Sequence, residues 1–218
     1  HNKPIPTVTI NVLGNMHVLE AARIAGARRF VFASSVYVYS ESGSFYRASK
    51  QAAERFTETY HERYGLDYNI LRYGSLYGRR ADKRNGIYRM LFEAVKNHSI
   101  TYKGSGEAMR EYIHVEDAAR MSVQVLAPEF ANRHLILTGQ EKMRIKDVMT
   151  MISEILPWSV ELHFDEANAV HHYEITPYAF HPRIGRKLVL NAHVDLGQGL
   201  LDCLREIHQD LHHGDEAE

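Results

Sequence analysis

A single cysteine, Cys203, stands among the 218 residues, so no internal disulfide can form and a reducing compartment is the expected setting. Charge of one sign is also missing. Lys and Arg number 26 against 27 Asp and Glu, a formal net charge of -1, and no global field draws the chain to nucleic acid or to an anionic membrane. No apolar run approaches the ~18 residues of a membrane span and no signal peptide is visible, so the chain reads as cytoplasmic with small partners. Histidine is plentiful, with pairs at His171/His172 and His212/His213, yet no Cys/His cluster has the spacing of metal ligands and no metal is expected. There is no internal repeat and no low-complexity tract. The first residue is His1 and helical periodicity begins almost at once, which reads as a chain continuing from residues upstream.

What is present is ordinary globular material, 44% hydrophobic and 24% charged, with an alternating period. From Thr7 to Ala25 apolar residues recur at helical steps (Val8, Val12, Met16, Leu19, Ala22), and Gly26 stands where a C-terminal cap belongs. "RFVFASS" (29–35) is a short continuous apolar run, the pattern of a strand covered on both faces. A helical pattern returns from Tyr46 to Gly65, and "DYNILR" (67–72) is a second buried strand. Helix, strand, helix, strand with short connections implies crossover units and a parallel sheet. Beyond Gly78 the polar stretch "RRADKRNG" marks a boundary. After it come helices near 87–97, 115–126 and 145–156, strands near 100–103, 111–113, 134–137 and 160–164, an irregular tract through Pro177 and Pro182, and a last helix near 194–211.

Chemistry enters at "SSVYVYSESGSFYRASK" (34–50). Ser35 closes a buried parallel strand, and in open α/β sheets ligands bind outside the carboxyl ends of the strands. Tyr46 and Lys50 are four apart on the following helix and share a face. An ammonium near a phenol favours the phenolate and lowers a pKa that starts near ~10, and a phenol so tuned is a general acid/base for an alcohol proton. Tyr-x-x-x-Lys alone is equally the spacing of a packed tyrosine and a solvated lysine. The order of strand ending in Ser, then Tyr-x-x-x-Lys opening a helix, then a second apolar strand favours the catalytic reading.

Four stretches in register, "NVLGNMHVLEAARIAGARRFVFASS", "YRASKQAAE", "LRYGSLYGRR" and "REYIHVEDAA", give the chain a resemblance to the extended short-chain dehydrogenase/reductases, the NAD-dependent nucleotide-sugar epimerases and dehydratases. The resemblance covers most of residues 8–140. It implies an α/β fold with a Rossmann-like doubly wound parallel sheet, here without its N-terminal half, and a smaller C-terminal α/β substrate-binding domain. Residues 1–78 would be the second half of the NAD-binding domain, and 79–218 mainly the substrate domain, with a segment near 111–140 returning to the first. It also implies Tyr46 as catalytic base, Lys50 on the nicotinamide ribose, Ser35 on the reacting hydroxyl, Asn11 near cofactor and substrate, Ser75 among the substrate contacts and Arg110 on the nucleotide diphosphate. NAD is the expected cofactor, a nucleotide sugar the substrate and a homodimer the assembly.

The departures from the family's pattern narrow the activity. Its 4,6-dehydratases place Asp-Glu after the catalytic hydroxyl. Val36 and Tyr37 stand there instead, and valine cannot transfer a proton, so an epimerase fits better. The connection from Ser35 to Tyr46 is shorter than in most relatives, and Ser75 and Arg79 replace a usual Asn and Pro, so sugar identity does not carry over. No Gly-rich turn opens a helix after a strand, and no ribose-binding acid follows a second strand; "GSGEAMREY" and "GQGLLD" lack that context. The chain therefore reads as the C-terminal part of a longer enzyme. A sugar dehydrogenase or reductase, and a non-catalytic scaffold, are the alternatives.

Overall fold

The computed structural model describes residues 3–40, 43–167 and 185–215. The tract through Pro177 and Pro182 lies outside them, as do His171 and His172. Helix α1 (Pro4–Val8) runs through a π-helical turn (Thr9–Leu13) into α2 (Gly14–Ile24). Strand β1 (Arg29–Ser35), a 3-10 turn (Val36–Tyr39), helix α3 (Ser44–Tyr64) and strand β2 (Asp67–Tyr73) follow. Next come β3 (Ser75–Tyr77), α4 (Gly86–Asn97), β4 (Ser99–Tyr102), β5 (Met109–Arg110), β6 (Tyr112–His114) and α5 (Val115–Gln124). Last are β7 (Arg133–Leu137), β8 (Met143–Arg144), α6 (Ile145–Ile155), β9 (Glu161–Phe164), β10 (Arg186–Lys187) and α7 (Leu196–Asp215). Among the described residues no helix is long and apolar enough to cross a membrane.

The chain divides into two compact units. The first comprises His1–Gly74, Arg120–Thr138 and His171–Val189, and the second Ser75–Ala119, Gly139–Val170 and Leu190–Glu218. The division falls at Gly74, because β3 leaves the first sheet and pairs with β6; the sequence reading had placed it after Gly78.

The first unit is built on a parallel sheet in the order β1-β2-β7-β10. Its register has a direct consequence: Ser35 pairs with Tyr73, and Tyr73 with Leu137, so the carboxyl ends of three strands share one edge. On one face Phe32, Ala53, Tyr68 and Ile70 form a cluster under α3, and Leu19, Tyr60 and Leu66 form another. On the other face Tyr73 shares a 2.6 Å hydrogen bond with Ser122 of α5. Arg29 donates to the carbonyls of Val125, Leu126 and Ala127, which offsets the unpaired acceptors just beyond α5. Helix α3 stops at Gly65, whose φ of 69° only a residue without Cβ adopts at no steric cost.

Among its described residues the second unit holds a large apolar core. Asn85 caps α4 by accepting the Ile87 and Tyr88 N–H groups, and Ile87, Met90, Leu91 and Ala94 repeat at helical spacing on its buried face. Ile145, Val148, Met149 and Ile152 of α6 and Leu200, Cys203, Leu204 and Ile207 of α7 meet them. Burial in this cluster pushes the Cys203 thiol up to about 11, so it is a packing residue and not a nucleophile. At the start of the segment after β7 the chain passes so close to Tyr112 that a Cβ on Gly139 would stand 1.8 Å from the Tyr112 carbonyl oxygen. Backbone on both sides cannot yield as a side chain can. Gly139→Ala is expected to cost about 3 kcal/mol or more, at the upper end of overpacking, and thermal unfolding should show a Tm lower by roughly 6–12 °C. An unchanged Tm would mean the close approach is not formed.

Candidate active site

Four of the sequence-selected residues come together in the first unit, at the carboxyl edge of its sheet. Ser35 is the last residue of β1 and the N-cap of the 3-10 turn, with extended backbone (φ -144°, ψ 151°) and its Oγ accepting the Tyr37 N–H at 3.2 Å. The chain thus turns away from the sheet at Ser35, a buried residue 8% exposed. Tyr46, in the first turn of α3, hydrogen-bonds to that hydroxyl. Its ring meets the Tyr37 ring edge-on, centroids 6.1 Å apart at 82°, one of the favoured aromatic geometries.

Lys50 lies one turn along α3. Its Nζ donates to the Ala33 carbonyl at 2.8 Å and sits 5.0 Å from the Phe32 ring centroid and 5.8 Å from that of Tyr46. Burial lowers the ammonium's pKa, and the Glu54 carboxylate opposes that. Burial also holds the Tyr46 phenol above its ordinary value, against the opposing bond from Ser35. The sequence pointed to a phenol lowered by its lysine; in the structure desolvation outweighs the bond from Ser35 that favours the phenolate.

Asn11 reaches this site through α3. It belongs to the π-helical turn, a local widening that recurs at functional positions, and its Nδ2 donates to Ser49 Oγ at 3.0 Å. Ser49 in turn donates to the Tyr46 carbonyl at 2.8 Å, so Asn11 steadies the helix turn that carries the phenol.

Ser75 and Arg110 belong to the second unit. Ser75 opens β3, pairs with Tyr112 and donates its N–H to the Glu111 carbonyl at 3.3 Å. Arg110 ends β5, 6% exposed, with Nη1 on the Met109 carbonyl at 2.7 Å. Sequence reading missed Glu54, Arg72 and Tyr39, although a charged residue inside the apolar run "NILRY" and a carboxylate four residues beyond Lys50 both called for buried partners.

Residues 1–137 match the model of the NAD dependent epimerase/dehydratase family. A putative UDP-glucose 4-epimerase of Methanocaldococcus jannaschii is 32% identical over 140 residues, which are 56% of this chain and 46% of that protein; the chain spans about half the length of such relatives. A UDP-glucose 4-epimerase from Thermotoga maritima, solved with UDP-glucose, superposes with a TM-score of 0.77 at 20% identity, covering 96% of this chain and 72% of that one. A UDP-glucuronic acid 4-epimerase from Bacillus cereus in complex with NAD gives 0.77 at 22% identity, with 93% and 68% covered. At that identity the two structures speak for the Rossmann-type fold alone. The family match spans more than half of the chain, and the chain belongs to the NAD-dependent epimerase/dehydratase family.

Proposed function

We propose that this chain carries the proton-transfer machinery of an NAD-dependent nucleotide-sugar epimerase. The reading rests above all on the Ser35–Tyr46 hydrogen bond at the carboxyl edge of a parallel sheet, with the Lys50 ammonium one helical turn away. Ser35 orients a sugar hydroxyl, Tyr46 takes its proton as the carbon is oxidised to a ketone, and the same phenol returns the proton when the ketone is reduced on its other face. NAD, when bound, supplies the hydride acceptor and donor, and its oxidised ring brings a positive charge. That charge and Lys50 would oppose the burial that now favours the neutral phenol. The donor set fits the nicotinamide end: a lysine ammonium has three N–H groups and the Ala33 carbonyl takes one, leaving two for ribose hydroxyls.

Val36 and Tyr37 occupy the place of the dehydratase acid and base. Val36 is buried among Ile136, Tyr37 and Tyr39, which supports inversion over elimination. The decisive experiment incubates the complete polypeptide, with any residues that precede His1, with UDP-glucose and UDP-glucuronate and follows both 4-epimers by chromatography. An epimer formed without net NADH supports the reading. Stoichiometric NADH release makes the protein a dehydrogenase, and no turnover of any nucleotide sugar leaves the scaffold reading.

Arg110 tests substrate binding separately. A guanidinium grips a diphosphate that does not react, so Arg110→Leu should raise KM for the nucleotide sugar by roughly 10- to 10²-fold, the worth of a charged hydrogen bond, with a smaller change in kcat. Equal falls in kcat and kcat/KM would contradict the role. A homodimer is part of the same reading, since Ile5, Ile10, Val18 and Ile24 on the first helices and Phe45 and Tyr64 on α3 are exposed in the single chain. Sedimentation of the complete polypeptide as a monomer would remove it.

A further inference from the structure

A second polar cluster lies one helical turn beyond Lys50, and the proton transfer does not use it. Glu54 shares the Tyr46 and Lys50 face of α3 and is 7% exposed. Its Oε1 accepts the Ser34 hydroxyl at 2.5 Å and Arg72 Nε at 2.9 Å, while Oε2 accepts Arg72 Nη2 at 2.7 Å. Arg72 stands in the middle of the sheet, on β2. Its Nη1 donates to the Tyr39 hydroxyl, in the turn that begins directly after Ser35, and its guanidinium lies 4.6 Å from the Tyr39 ring centroid. Nη2 also meets His134 Nδ1 of β7 at 2.8 Å.

Such a cluster is a poor device for stability alone. Desolvating an ion pair costs as much as its attraction returns, and an apolar pair of the same volume is often as good. Its bonds, however, are directional where apolar contacts can slide. They tie the residue before Ser35, the turn after it and the helix that carries Tyr46 to a single carboxylate. We infer that Glu54, acting through Ser34 and Arg72, sets the register of α3 against β1 and thereby holds the Tyr46 phenol against the Ser35 hydroxyl. Glu54 is a positioning residue for the proton transfer, and this role rests on the epimerase-family chemistry proposed above.

The test uses the complete polypeptide and two variants. Ser34→Ala removes one donor and leaves the Glu54–Arg72 pair intact; Glu54→Gln keeps the volume and removes the charge. Each is expected to lower kcat per folded enzyme by roughly 10- to 10²-fold, the effect of a misplaced reacting group, with KM within about threefold. Crystal structures of the variants should show Ser35 Oγ and Tyr46 Oη moved out of hydrogen-bond range. If Glu54→Gln does not fold, Ser34→Ala decides. A lower Tm with kcat unchanged and the Ser35–Tyr46 bond intact would make the cluster purely structural and overturn the inference. Reduction of bound NAD by the sugar is measured alongside, because epimerase and dehydrogenase share that half-reaction. A wild-type enzyme that reduces NAD without epimerising its substrate sinks the epimerase reading and leaves the positioning result standing. One that transfers no hydride at all removes both.

Discussion

Tyr46→Phe in the complete polypeptide is expected to lower kcat by ~10²–10⁴-fold, the contribution of a general acid/base group, while the Tm stays within a few degrees of wild type. The ring and its edge-on contact with Tyr37 remain. The Ser35 hydroxyl loses one partner but keeps the Tyr37 N–H at 3.2 Å, so no buried polar group is orphaned and the stability term is small. What disappears is the oxygen that, in the proposed mechanism, exchanges a proton with the sugar. Neither Ser35, whose hydroxyl is a far weaker acid, nor Lys50, whose Nζ is bonded to the Ala33 carbonyl, replaces it. KM should change little, because the phenol contacts a group that reacts and not one that only binds. Turnover within threefold of wild type, measured on a variant shown to be folded, would remove Tyr46 from the mechanism.

The candidate trio of Ser35, Tyr46 and Lys50 was legible because its spacing lies inside single elements. An apolar run ending in Ser35 fixes a strand and its carboxyl end, and Tyr46 and Lys50 need only helical geometry to share a face. The long apolar strands 29–35 and 67–73 and the helices of the second unit were legible for the same reason, since their periods are local. Strands β5 and β8 were not. Each has two residues, and Met109 and Arg110 find partners in Arg144 and Met143, a pairing that no local pattern announces. The Glu54 cluster draws on β1, α3, β2, β7 and the turn at Tyr39, so it becomes visible only when the sheet order is known. The raised pKa of Tyr46 was hidden on similar grounds. A lysine at i+4 can be read from sequence, but the desolvation that lifts the phenol depends on how deeply the folded chain buries it.

The 218-residue polypeptide by itself is expected to bind no measurable NAD. Dinucleotide affinity in open α/β sheets comes mainly from the pyrophosphate, held by backbone N–H groups of a glycine-rich turn at a helix N-terminus. Among the described residues no glycine-rich turn leads from a strand into a helix. Gly104 and Gly106 lie between β4 and β5, in a segment that opens no helix. Gly197 and Gly199 sit inside the first turn of α7, and a Cβ on Gly199 would stand 2.5 Å from the Tyr77 hydroxyl, so that glycine serves packing. Tyr46, Lys50 and Asn11 can offer the nicotinamide ribose a few hydrogen bonds worth about 0.5–1.5 kcal/mol each. Immobilising a ligand costs on the order of 4–15 kcal/mol, so those bonds alone leave affinity weaker than millimolar. Calorimetric titration of NAD into the polypeptide, its mass verified to begin at His1, checks this. A micromolar Kd would mean that these residues assemble a pyrophosphate site of another kind. The complementary measurement adds any residues that precede His1: if they contain a glycine-rich turn, NAD binding should appear with them, and Lys50→Ala in that longer polypeptide should weaken it.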